Sequence, residues 1–204
     1  MAKLIFRYGA MNSGKTTVML QTAYNYEEKG HKVVLLKSSE DTKGDDLVVS
    51  RIGLSRKIDE FIKPKDKVVD VLEKYLDNLD CIIVDEAQFL LPKQVEELYY
   101  ISKIYDIPVI TYGLRTNFVM EEFKGSPKLL LLADEIQELP TICSCGKKAR
   151  TNARKVFGEY VTEGESVVID GENKNTEYEP LCGNCYLEKV MKANKKNIKK
   201  LIYK

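Results

Sequence analysis

The chain carries almost no net charge: 32 lysines and arginines meet 31 aspartates and glutamates, leaving +1 at pH 7. So close a balance gives no global electrostatic drive toward a nucleic-acid backbone. No stretch approaches the roughly 18–20 apolar residues needed to cross a bilayer. The first residues run directly into an apolar strand pattern, with no cleavable leader. Together these absences lead to the expectation of a cytoplasmic protein without a membrane or nucleic-acid partner. Internal repeats and low-complexity tracts are missing as well. The single histidine, His31, sits beside an expected turn and reads as a surface residue.

What is present describes an ordinary globular chain. Of its 204 residues, 44% are apolar and 31% charged, enough for one domain with a core plus a small appendage. Residues 1–139 alternate strand-like and helix-like patterns. Leu4–Tyr8 is an apolar strand, and residues 15–29 suit a helix that Gly30 stops. Residues 32–37 carry the continuous run Val33-Val34-Leu35-Leu36 of a strand buried on both faces. Val68, Leu72, Tyr75, Leu76 and Leu79 repeat at helical spacing, residues 81–84 form a further strand, and Pro92 suits the first turn of the next helix. Residues 108–112 add another strand. This alternation predicts an α/β domain with a mostly parallel sheet flanked by helices. Residues 38–57 are polar and read as a loop, either near a ligand or simply solvated. Residues 113–128 form a long connection at a strand end, where α/β sheets commonly place ligands. From about residue 140 the pattern becomes that of a small β-rich module with strand candidates at 150–160 and 167–169. The reading divides the chain into 1–139, 140–190 and a lysine-rich tail, 191–204, taken as a solvated helix end.

Two motifs carry chemistry. Gly9-Ala10-Met11-Asn12-Ser13-Gly14-Lys15-Thr16 is a complete G-x-x-x-x-G-K-[ST] phosphate loop between a strand and a helix. Its glycines let backbone N–H groups turn inward around phosphate oxygens, and the helix N-terminus adds positive potential. Lys15 supplies a full charge to the transferring phosphate and Thr16 a hydroxyl to magnesium. The strand at 81–84 delivers Asp85 toward that magnesium. The adjoining Glu86 can accept a hydroxyl proton in a transfer to an alcohol, or orient water in an ATPase. The second motif is Cys143-Ser144-Cys145 with Cys182-Gly183-Asn184-Cys185. Disulfides are disfavoured in a reducing compartment. Four thiolates suffice for a closed, structural zinc site that holds together a module too small to fold on its own core. Cys81, alone in an apolar strand, reads as a small core residue.

The order of these motifs, with Asp85-Glu86-Ala87-Gln88-Phe89 and Tyr112-Gly113-Leu114-Arg115-Thr116-Asn117-Phe118 between them, resembles the zinc-containing, cytosolic type of thymidine kinase over residues 1–187. The C-x-C form of the first cysteine pair occurs in the bacterial branch of that family. The resemblance implies a P-loop, RecA-like sheet with a C-terminal zinc-binding domain. It also implies ATP- and magnesium-dependent phosphorylation of the 5′-hydroxyl of thymidine or deoxyuridine, a homotetramer, and feedback inhibition by thymidine triphosphate. By this resemblance Glu86 is the proton acceptor. Residues 9–16 with Asp85 and Gln88 bind the donor, and Thr16 and Asp85 associate with magnesium. Met11, Phe89, Leu114 and Phe118 line the nucleoside pocket. Tyr178 and the backbone of Val168, Ile169, Asp170 and Gly171 belong to a loop closing over the base. The sequence departs from the family at Asp170, where many members have glycine, in the insertion-like residues 172–176, and at Lys43, where arginine is common. Two other readings remain at this stage: a nucleic-acid-stimulated ATPase, whose acidic box Asp85–Gln88 would be, and a nucleic-acid-binding adaptor built on the zinc module and basic tail.

Overall fold

The computed structural model describes residues 1–40, 46–164, 175–193, 197 and 199. These form two compact units. The first comprises Met1–Gly9, Gly14–Arg115 and Glu122–Leu139; the second comprises Ala10–Ser13, Thr116–Glu121 and Pro140–Lys204.

The first unit is built on strands β1 (Leu4–Tyr8), β2 (Val33–Ser38), β5 (Glu60–Ile62), β6 (Cys81–Asp85), β7 (Val109–Gly113) and β8 (Glu135–Glu138). They form one sheet in the order β5-β2-β6-β7-β1-β8, and every pairing is parallel. Helices α1 (Lys15–Glu27), α2 (Val68–Leu72), α3 (Pro92–Ile104) and α4 (Ser126–Leu132) connect them. Successive strand residues face opposite sides, and the core divides accordingly. Val34, Leu36, Ile82 and Val84 pack with Leu72, Val95, Leu98 and Leu129. Val33, Leu35, Cys81 and Ile83 pack with Met19, Leu20 and Ala23 of α1. Asp85 shares the parity of Cys81 and Ile83, so the strand turns it toward the α1 side. Because the sheet is parallel, Tyr8, Ser38, Asp85 and Gly113 end their strands at the same edge, where open α/β sheets hold ligands.

The structure corrects several expectations. The helical pattern over Val68–Leu79 divides into α2 and a 3₁₀ turn, Leu76–Asn78. Tyr75 and Lys74 reach Glu60 in that interval, at 3.0 and 2.5 Å. Leu72, Leu76 and Leu79 all remain buried despite the break. The segment read as a polar loop contains the antiparallel hairpin of β3 (Leu47–Val49) and β4 (Ser55–Lys57), with Val48 and Ile58 in the core. Residues 41–45 lie outside the described residues. The connection after β7 gives way to α4, and both sheet edges, β5 and β8, are strands the sequence did not announce.

In the second unit, β11 (Thr151–Val156) pairs with β12 (Glu159–Val161) and with β13 (Thr176–Leu181), both antiparallel. The single strand expected over 150–160 is therefore a hairpin. The short ladder of β9 (Thr141–Ile142) and β10 (Lys148–Ala149) precedes it, and α5 (Gly183–Lys189) follows β13. The strand expected at 167–169 lies outside the described residues, as does most of the basic tail. No helix among the described residues is long and apolar enough to cross a membrane.

Candidate active site

Helix α1 opens at Gly14, which stands at φ 77°, a left-handed conformation that a side chain would strain. The N–H of Val18 reaches back to the Gly14 carbonyl at 3.0 Å. The first turn of α1 contains no acidic residue, so its positive end is left for an anion. Lys15 follows immediately, its ammonium donating to the Gly9 carbonyl at 3.2 Å. Although part of Lys15 still meets solvent, desolvation lowers its pKa below the ordinary lysine value. Glu86 and Asp85 oppose that fall, and Arg51 adds to it. The lysine is therefore in electrostatic contact with both carboxylates at the end of β6. Within the second unit, the Ser13 hydroxyl oxygen is buried without a hydrogen-bond partner, as expected of a loop whose acceptor is a ligand.

Asp85 is buried, and its Oδ1 accepts the Glu86 N–H at 3.0 Å. Glu86 adopts φ 49°, ψ 39°, a region that non-glycine residues rarely occupy and that clusters at functional sites. Gln88, 1% exposed, explains how this geometry is held. Its Nε2 donates to Glu86 Oε2 at 2.5 Å and its Oε1 accepts the Leu114 N–H at 3.0 Å. Gly113 makes room: a Cβ there would stand 2.6 Å from Gln88 Oε1. Leu114 is buried and its carbonyl accepts from the Ser126 hydroxyl at 2.7 Å. Phe89 packs edge-on against Phe123, with centroids 5.4 Å apart.

In the second unit, Phe118 is buried, with the Arg154 guanidinium 3.6 Å above its ring centroid. The Met11 N–H donates to Asn152 Oδ1 at 2.7 Å. Tyr178 lies within β13, opposite Arg154. Val168, Ile169, Asp170 and Gly171 lie outside the described residues. Sequence reasoning missed Gln88 as the support of Glu86. It also missed Asn152 and Arg154, whose only signal is a pair of polar residues at i, i+2 on one face of a strand.

Cys143, Cys145, Cys182 and Cys185 converge, their sulfurs all within 4.8 Å of one another and the Cys145–Cys182 pair at 3.6 Å. Zinc bonds of about 2.3 Å place tetrahedral thiolates roughly 3.8 Å apart, so the donor set and its spacing fit zinc. Burial opposes ionisation of Cys143, but the N–H groups of Cys145 and Cys182 and the neighbouring thiols outweigh it and lower its pKa to about 6. Cys185 moves the other way, to about 12, because it shares hydrogen bonds with Cys145 and Cys182. A cation would remove that competition by drawing all four sulfurs to the thiolate state.

A family model described as thymidine kinase matches residues 2–186. Among curated proteins, the chain is 43% identical to the thymidine kinase of Chromobacterium violaceum over 188 residues, covering 91% of this chain and 98% of that one. It is 45% identical to the thymidine kinase of Legionella pneumophila over 186 residues, covering 89% and 88%. It is 44% identical to that of Lactiplantibacillus plantarum, covering 91% and 96%.

Proposed function

The chain belongs to the thymidine kinase family, and from that premise we propose how its own residues move the terminal phosphoryl group of ATP to the 5′-hydroxyl of thymidine or deoxyuridine, in nucleotide salvage. The observation that carries the reading is the sheet edge itself: Lys15, whose ammonium donates to the Gly9 carbonyl just after β1, and Asp85 and Glu86 at the end of β6, with Glu86 held by Gln88.

The donor phosphates lie against the loop of residues 9–16 and the N-terminal end of α1, whose positive potential attracts them. Lys15 places its charge on the transferring group, and the unpartnered Ser13 hydroxyl adds a contact. Thr16 and Asp85 would hold magnesium, which supplies charge neutralisation between the phosphates when bound. Glu86, fixed by Gln88 and by its own constrained backbone, accepts the proton of the nucleoside hydroxyl as that oxygen bonds to phosphorus. Most of the acceleration then comes from positioning and electrostatics. Gln88 acts by orienting Glu86. Met11, Phe89, Leu114, Phe118 and Tyr178, with residues 168–171, are assigned to the nucleoside. The four cysteines are assigned to a structural zinc ion.

Three further properties belong to the same reading: action in the cytoplasm, feedback inhibition by thymidine triphosphate, and assembly as a homotetramer. The last is supported by exposed apolar side chains on the first unit, Leu47, Val49, Ile52 and Leu54 of the β3–β4 hairpin and Tyr24 on α1. Leu54 and Tyr24 line one groove of about 320 Å³. The division into 1–139, 140–190 and 191–204 is kept as part of the proposal. The test is ADP release by the purified protein with thymidine or single-stranded DNA as the only addition. Release with thymidine, matched by thymidine monophosphate, is expected; release only with DNA would replace the kinase reading by the ATPase one.

A further inference from the structure

Segments distant in sequence are joined in the second unit by side chains that adjoin the cysteine cluster. Residues 116–121 form a closed turn. Asn117 Oδ1 accepts the N–H groups of Val119 and Glu121 at 3.0 and 2.9 Å, and the Asn117 N–H donates to the Glu121 carbonyl at 2.9 Å. A contact at Phe118 therefore positions the whole turn. Two such contacts are seen among the described residues. Tyr186, fully buried on α5, donates its hydroxyl proton to the Phe118 carbonyl at 2.6 Å. Arg154, from β11, covers the Phe118 ring.

Tyr186 directly follows Cys185, and Cys182 directly precedes α5. The helix is seven residues long and caps itself through the Val190 N–H to the Tyr186 carbonyl. So short a helix has little stability of its own. Its start is fixed by the two cysteines, and Tyr186 carries that fixation 68 residues back along the chain to Phe118. Strand β11 repeats the arrangement. The Arg150 N–H and the Thr151 hydroxyl donate to the carbonyl of Leu181, the residue before Cys182, and Asn152 holds the Met11 N–H.

We propose that Tyr186 is a positioning residue that couples metal occupancy of the four-cysteine cluster to nucleoside affinity, by holding the Phe118 turn against the helix that the metal anchors. The proposal rests on the assignment of Phe118 to the nucleoside site. Coupling is reciprocal: a metal that strengthens nucleoside binding is itself held more firmly when the nucleoside is bound.

The experiment uses the zinc-loaded full chain and three readouts. The first is zinc transfer from the unmodified protein to a chromophoric chelator, with and without saturating thymidine. Thymidine is expected to slow transfer at least fivefold; no slowing overturns the coupling. The second is thymidine affinity by calorimetry for Tyr186→Phe, which removes one hydroxyl and keeps the ring. A variant that keeps one zinc per chain and an unchanged ATP affinity is expected to bind thymidine about three- to tenfold more weakly. A change under twofold overturns the role of Tyr186, since a purely structural defect would lower the active fraction and leave affinity unaltered. The third, Phe118→Ala, separates the two levels of argument. Thymidine affinity unchanged in that variant refutes the nucleoside assignment itself. Affinity lost there but retained in Tyr186→Phe refutes the coupling alone.

Discussion

Gln88 engages both ends of its carboxamide, one on Glu86 and one on Leu114, inside a space that only a glycine at 113 leaves open. Replacing Gln88 with leucine keeps the volume but strands the buried Leu114 N–H, at a cost of about 1–3 kcal/mol. Turnover should fall about tenfold or more as Glu86 loses its orientation, with ATP affinity nearly constant; steady-state kinetics beside a thermal melt would show both. Gly113→Ala should reproduce that phenotype without touching either polar group, because its Cβ would displace Gln88. Lys15 gives a prediction of opposite sign for stability. Its pKa is lowered chiefly by desolvation, so the native state binds fewer protons than the unfolded chain between the lowered value and 10.5. Stability therefore rises with pH through that window, and the desolvation penalty of the ammonium is fully present below the lowered value. Lys15→Met should leave the ligand-free Tm unchanged or raised while reducing kcat by about 10²–10³-fold. A lowered Tm would contradict that view of the site.

The same physics, applied to whole elements, explains which parts of the fold were legible. Strands β2 and β6 are continuous apolar runs because both of their faces are covered, and their sequence announces it. Strand β8 is Glu135-Ile136-Gln137-Glu138, three polar residues in four, because it closes an edge where charge discourages further pairing. No periodicity would reveal it. The β3–β4 hairpin is hidden for a related reason: it contributes Val48 to the core and turns Val49 and Ile52 outward. The phosphate-loop run and the Asp85-Glu86 pair stand out in the sequence because the chemistry proposed for them demands fixed residue types at fixed spacing. Asn152, Arg154 and Tyr186 do not, since their significance lies in partners 36 to 141 residues away. At this scale the cysteine cluster supplies a test. Cys182→Ser should abolish zinc retention and lower Tm by about 5–10 °C, because α5 and the β11–β13 ladder lose their common anchor. Metal analysis and calorimetry would check it, and a variant with unaltered Tm would remove the structural role.

For the whole molecule, the proposed homotetramer would cover exposed apolar side chains on the β3–β4 hairpin and α1, since a large exposed apolar surface often marks an interface. Ile52→Glu should reduce the mass measured by light scattering to a fraction of the unmodified protein's. An identical mass would place the interface elsewhere. The family, the parallel sheet and the edge that brings Lys15 to Asp85 and Glu86 together make phosphoryl transfer to a nucleoside the activity for which this chain is organised. The most direct measurement of that claim is the turnover of Glu86→Gln with saturating ATP, magnesium and thymidine. That variant keeps the shape of the side chain and removes the basic oxygen. The account predicts retained zinc, retained ATP affinity and a kcat lowered by about 10²–10⁴-fold; a kcat equal to that of the unmodified protein would contradict it.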